Sequence, residues 1–304
     1  MSKYLFMNWQ IYTEQFKNYL RLERGFSENS IEAYLRDVEK FKDFAISKQE
    51  NNPEKISTAF IQEFLKSLND LGIAETSQAR ILSGIKAFYK FLFLENSIPT
   101  DPAYLIEAPK LSRKLPDTLS YEEIEQLLSA IDLSTAEGTR NRAILEVLYS
   151  CGLRVSELTE LKLSQLYFDI GFLKVIGKGN KERFVPIGKD AIKYTNLYLQ
   201  HYRNHLNIAK GYENYVFLNR RGKNLSRVFI FMIIKELAAS IGLKKNISPH
   251  TFRHSFATHL LEGGANLRAI QEMLGHESIT TTEIYTYLDK DYLRQTILQF
   301  HPRS

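Results

Sequence analysis

The chain's 304 residues are about twice the length of an ordinary single domain, so two domains joined by a linker are expected. Hydrophobic residues make up 44%, charged residues 25%, and Gly and Pro together only 23 positions, which excludes collagen-like, low-complexity and largely disordered chains. The net charge of +5 is unevenly placed: 14 Lys and Arg face 15 Asp and Glu up to Lys110, against 26 and 20 beyond it, an excess that suits a polyanionic partner but also occurs on ordinary soluble surfaces.

The single cysteine, Cys151, excludes an internal disulfide and a Cys-rich zinc site, and fits a reducing, cytoplasmic setting. No apolar run reaches the roughly 18 residues that a membrane helix needs, and the opening MSKYLFMNWQ lacks an export pattern, so no membrane partner is expected.

The first hundred residues read as four helices. Trp9, Tyr12, Phe16, Tyr19 and Leu20 define one face of the first. The second starts after Ser27, an N-cap followed by acidic Glu28, and runs through Ile31, Tyr34, Leu35, Val38, Phe41 and Phe44. The third spans about 57–71 and stops at Gly72; the fourth spans about 76–95 and is buried through Ile81, Ile85, Phe88, Phe91 and Leu92. Pro102, Pro109 and Pro116 then break the pattern, giving an N-terminal helical bundle over 1–107, a linker over 108–117 and a second domain over 118–304.

That second domain opens with Ser120 and Glu123 in capping-box spacing. A buried helix over 140–150 ends at Gly152, and helical spacing restarts over 155–161, with Arg154 between them. Two short β-like runs, 173–176 and 183–187, flank Gly177-Lys178-Gly179-Asn180-Lys181, a hairpin with a basic tip. From Ala191 onward the pattern is helical apart from a turn at Gly222, so the domain is mainly α with a small β-sheet.

Ser248 and Pro249 start a helix on which His250 and Arg253 share a face near its positive end. The pair can bind a phosphate; it can equally be a surface pair above the core face of Phe252, Phe256, Leu260 and Leu261. A further helix runs from Asn266 to Gly275 and leaves His276 just beyond its end, and a third can start at Ser278 and carry Tyr285. Each has an ordinary packing role available when taken singly. Together, His250, Arg253, His276 and Tyr285 lie within 36 residues on consecutive short helices that can surround one pocket.

The ordered set Cys151-Gly152-Leu153-Arg154-Val155-Ser156-Glu157-Leu158, Gly177-Lys178-Gly179-Asn180-Lys181-Glu182-Arg183, His250-Thr251-Phe252-Arg253-His254, Leu274-Gly275-His276 and Ile284-Tyr285 resembles the tyrosine site-specific recombinases, and within them the Xer branch. The resemblance covers nearly the whole chain. It departs in one place: the family commonly has Tyr-Thr-His where this chain reads Tyr285-Thr286-Tyr287. Two residues along a helix correspond to about 200° of rotation, so the two hydroxyls cannot occupy one position, and family register selects Tyr285.

The resemblance implies a SAM-like core-binding N-terminal bundle and an α+β catalytic domain that cuts and rejoins double-stranded DNA through a 3′-phosphotyrosyl intermediate, with no cofactor and no metal. It implies Tyr285 as nucleophile, Arg154 and Arg253 on the phosphate, His250 as acceptor of the tyrosine proton, His276 as a phosphate donor and Lys178 as the acid. It also implies a dif-like DNA site in chromosome dimer resolution, a XerC-like partner in a tetramer on two sites, and the FtsK translocase. Two other readings stay open: a mobile-element integrase with the same chemistry, and a noncatalytic DNA-binding regulator. Asp289 and Asp291 read as helix-surface charge. The apolar stripe Leu288, Tyr292, Leu293, Ile297, Leu298 and Phe300, with His301-Pro302-Arg303 beyond, can dock on a neighbouring subunit or on the chain's own core.

Overall fold

A computed structural model describes residues 7–109, 117–275 and 287–303; within the expected linker, 110–116 lie outside the described residues. The chain divides into two compact units, Met1–Lys114 and Leu115–Ser304.

The N-terminal unit consists of α1 (Met7–Leu22), α2 (Glu28–Ser47), α3 (Thr58–Asp70) and α4 (Glu75–Leu94). The Ser27 and Ser57 hydroxyls accept the backbone N–H groups of Ser30 and Phe60, which otherwise have no intrahelical partner. The apolar stripes meet in an aromatic core. Trp9 stacks on Phe88 at 5.9 Å, and Phe16 meets Phe88 edge-on at 5.4 Å. Of the face expected on α1, Trp9, Phe16 and Leu20 are buried, while Tyr12 and Tyr19 close its edge.

The second unit starts with α5 (Tyr121–Ser129), where both bonds of the Ser120–Glu123 capping box are made. Helix α6 (Ala136–Cys151) is buried on nearly every side and packs against α8 (Lys189–His201) and α10 (Pro249–Gly263). Short α7 (Val155–Thr159) follows it. An antiparallel sheet of order β1-β2-β3 is formed by β1 (Leu166–Tyr167), β2 (Phe172–Ile176) and β3 (Glu182–Pro186), with Leu173 opposite Val185 and Val175 opposite Arg183. Strand β1 is too short to leave a periodic signal and was not expected from sequence. Helices α9 (Arg227–Ser240), α11 (Leu267–Leu274) and α12 (Tyr287–Phe300) complete the unit.

One expectation fails here. The helical reading from Ala191 onward holds for α8 and α9, but the chain between them is irregular apart from a short turn over Arg203–His205. Buried Arg203 replaces the helical ladder, donating from Nε to the Tyr215 carbonyl at 2.9 Å and from Nη2 to that of Glu213 at 2.5 Å.

The C-terminal stripe lies on the chain's own second unit. Leu293 and Ile297 enter its core, Tyr292 and Leu298 stay exposed, and the side chain of Leu288 lies outside the described residues. Arg303 anchors the end: Nε and Nη2 donate to the two oxygens of fully buried Glu146 at 2.9 and 2.7 Å, Nη2 also reaches Asp190 at 2.8 Å, and Nη1 meets Glu125.

Arg303→Ala leaves fully buried Glu146 with Arg142 as its remaining cation and one oxygen without its donor, so it is expected to cost about 3 kcal/mol in denaturant unfolding. In the other unit, Phe88→Ala should cost about 3–5 kcal/mol, read from the fluorescence of Trp9, the chain's sole tryptophan.

Candidate active site

The site assembles where α6, the β2–β3 hairpin, α10 and α11 meet. Helix α6 ends at Gly152, whose φ of 57° gives the left-handed cap that glycine adopts without strain. A Cβ there would also lie 2.4 Å from the Phe256 ring, so the turn and the close approach of α10 both require glycine. The chain then places Arg154 at the N-cap of α7, where the Glu157 carboxylate takes both its backbone N–H (2.8 Å) and its Nη1 (2.9 Å).

Helix α10 begins at Pro249, and the Thr251 hydroxyl accepts the Ser248 backbone N–H at 3.1 Å. Its first turn exposes His250 and buries Arg253 one turn later. Arg253 donates to the carbonyls of Gly152 (2.7 Å) and Leu274 (2.6 Å), while Arg154 Nη2 donates to the carbonyl of Gly275 at 3.1 Å. The two arginines that sequence singled out, 99 positions apart in the chain, thus end on adjacent carbonyls of one helix terminus.

A third guanidinium joins them. Arg183 on β3 donates from Nε to the Met273 carbonyl at 2.8 Å and grips Glu157 with Nη1 and Nη2 at 2.8 and 2.9 Å. Three successive carbonyls at the negative end of α11 are therefore taken by three arginines. Gly275 closes that helix at φ 67°, and a Cβ on it would press on Arg183 at 3.1–3.2 Å.

Electrostatics follow from this crowding. Burial, reinforced by the Arg154 charge, pushes the Arg253 guanidinium down to about 10, which leaves it protonated at neutral pH. Burial alone would raise the Glu157 carboxyl; the hydrogen bonds and charge of Arg183 and those of Arg154 outweigh it and hold the group below the ordinary range. Among the described hydrogen bonds and ion pairs of the three arginines, Glu157 is the one carboxylate partner, and Arg154, with 33% of its side chain exposed, is the cation open to an anion. Cys151 beside the site is fully buried, and burial pushes its thiol up to about 12, so it supplies no thiolate.

Lys178 lies, as backbone, in the turn Lys178–Asn180 at the tip of the β2–β3 hairpin; its side chain, His276 and Tyr285 lie outside the described residues. Sequence reasoning missed Glu157 and Arg183 as site residues. Two signals were available: a carboxylate at capping distance from Arg154, and a charged residue at a core-facing strand position shared with Val185.

The chain is similar to known proteins along most of its length. Residues 117–291 match the phage integrase family, and residues 13–96 match the phage integrase N-terminal SAM-like domain. The chain is 44% identical over 291 residues to tyrosine recombinase XerD of Staphylococcus haemolyticus, covering 96% of this chain and 98% of the relative. Among solved structures it is similar to the XerA recombinase, with 30% identity, TM-score 0.50, and coverage of 97% of this chain and 100% of that one. It is also similar in fold to the XerH site-specific recombinase bound to a palindromic difH substrate, with 24% identity, TM-score 0.69, and coverage of 93% and 83%.

Removing the Glu157 charge with Glu157→Gln is expected to cost about 3–5 kcal/mol near neutrality. The folded carboxyl titrates below its unfolded value of about 4.3, so this contribution is full above that value and disappears as pH falls through the lower, folded one. Denaturant unfolding of the two proteins should therefore converge in acid. Gly152→Ala should both destabilise the unit and lower DNA cleavage, because it displaces a carbonyl that holds Arg253.

Proposed function

Because the chain belongs to the phage integrase family of tyrosine recombinases, enzymes that transfer DNA strands, we propose that Arg154, Lys178, His250, Arg253, His276 and Tyr285 form its catalytic set. One observation carries this reading: Arg154 and Arg253 meet at the end of α11, and His276 is the next residue but one after Leu274. Two guanidiniums are thereby brought to the carbonyls that immediately precede His276 in sequence, in the stretch of chain that leads to Tyr285.

In the proposed reaction the Tyr285 hydroxyl oxygen attacks phosphorus, and His250 accepts the phenolic proton. The bond from phosphorus to the 5′ oxygen breaks, its electron pair stays on that oxygen, and Lys178 protonates it to a free 5′-hydroxyl. Charge that develops on the non-bridging oxygens is met by Arg154 and Arg253, with His276 donating a hydrogen bond. The 3′-phosphotyrosyl link conserves the energy of the broken ester, so a 5′-hydroxyl from a partner strand reverses the step and exchanges strands without ATP. The described residues contain no helix long and apolar enough to cross a membrane. We place the enzyme in the cytoplasm, acting on a dif-like site in chromosome dimer resolution with a XerC-like partner in a tetramer and the FtsK translocase. The 44% identity to a XerD protein over nearly the full length of both chains favours this role over that of a mobile-element integrase.

The test incubates wild type and Tyr285→Phe with a nicked dif-type duplex in EDTA and resolves covalent complexes on a denaturing gel. Wild type should form an adduct and Tyr285→Phe none. An adduct that persists in the variant would transfer the role to Tyr287, and loss of the wild-type adduct in EDTA with recovery in magnesium would overturn the metal-free mechanism. Binding should weaken steeply with salt, since Lys and Arg contacts release counterions from the duplex.

A further inference from the structure

We propose that Arg183 is a positioning residue of the strand-transfer reaction: it keeps Glu157 from neutralising Arg154 and fixes the root of the hairpin that carries Lys178. The inference rests on the reading of Arg154 as a phosphate-binding group.

Arg183 is only 5% exposed and sits on β3 at a core-facing position. A guanidinium there is costly unless its donors are used, and they are: Nε goes to the Met273 carbonyl, and Nη1 and Nη2 fork onto the two oxygens of Glu157. The same two oxygens serve Arg154, Oε1 taking its Nη1 and Oε2 its backbone N–H. Without Arg183, Glu157 and Arg154 would form a one-to-one pair of zero net charge. With it, one carboxylate is shared between two guanidiniums, and Arg154 keeps positive charge for an anion on its exposed side.

Geometry ties Arg183 to two further parts of the site. In the sheet it lies opposite Val175, next to the hairpin root that the Gly177 N–H closes on the Lys181 carbonyl at 2.7 Å. A Cβ on Gly177 would lie 3.4 Å from Arg183 Nη1, and one on Gly275 would lie 3.1 Å from its Cδ. Its side chain therefore fills the space between the base of the Lys178 hairpin and the turn that precedes His276.

The experiment measures single-turnover cleavage of a nicked dif-type duplex by wild type and Arg183→Lys, with either an ordinary scissile phosphodiester or a methylphosphonate. Lysine keeps the charge but cannot make the three directed bonds. On the phosphodiester, Arg183→Lys should be slower by about 100-fold, the scale of a misplaced catalytic group, with duplex affinity within about twofold of wild type. The methylphosphonate lacks one anionic oxygen and depends less on Arg154, so there the deficit should shrink below about 10-fold. Equal deficits on both substrates, or none, would overturn the inference, because a merely structural lesion does not distinguish them. If circular dichroism shows that Arg183→Lys does not fold, the paired variant Arg183→Met with Glu157→Gln, which strands no buried charge, is used instead: with no carboxylate left to neutralise Arg154 it should show equal deficits on the two substrates, and a deficit that shrinks on the methylphosphonate would overturn the inference. A wild type that forms no adduct above the Tyr285→Phe blank overturns the underlying reading, whereas wild type and Arg183→Lys cleaving alike overturns this inference alone.

Discussion

Three guanidinium groups end on three successive backbone carbonyls, those of Met273, Leu274 and Gly275, and the remainder of the catalytic unit is arranged to make this possible. The carbonyls at a helix C-terminus lack intrahelical partners and carry the negative end of the helix dipole, so they attract cations. Three cations in one place also repel one another. A single carboxylate, Glu157, offsets part of that repulsion, and the lowered Arg253 value records burial and what repulsion remains. In the proposed reaction a phosphate completes this arrangement. The donors are already oriented by the protein before the anion arrives, which is what electrostatic stabilisation of a developing charge requires.

The fold delivers these groups from elements remote in sequence. Arg154 follows the buried helix α6, Arg183 stands on the third strand, Arg253 is one turn into α10, and the carbonyls belong to α11. Rigid secondary structure fixes each guanidinium more closely than a loop can. Gly152 and Gly275 are tight points of the site, where a positive φ coincides with a close neighbour. Lys178 is placed differently, in a hairpin turn, which suits a group that has to meet a leaving oxygen rather than hold a ground-state phosphate.

Much of this was legible in the sequence because it is local. Ser27 and Ser120 announced helix starts through short-range capping, Gly152 announced a helix end, and the β-like runs 173–176 and 183–187 announced two strands. The Arg154 and Arg253 roles came from family resemblance, since nothing in either residue's neighbourhood tells it from a surface arginine. What escaped was non-local. Arg183 is 26 residues from Glu157 and 90 from Met273, so no window of periodicity connects them. The irregular chain between α8 and α9 escaped for the same reason: its carbonyls are satisfied by Arg203, which reaches across the loop to 213 and 215.

The second buried charge cluster shows why charge pairing alone does not identify a functional site. Around Glu146, the cations Arg142 and Arg303 meet three carboxylates, Glu146, Glu125 and Asp190. There the anions outnumber the cations, each guanidinium already has a carboxylate, and no surplus positive charge is presented to an incoming phosphate. Around Glu157 the balance is reversed, with Arg154, Arg183 and Arg253 clustered about one carboxylate and the most exposed of them at the edge. Both clusters are networks whose interruption would strand a buried charge. The first is electrically closed and holds the C-terminal segment on its own core; the second is electrically incomplete, and in the proposed reaction a nucleic-acid phosphate supplies the missing charge.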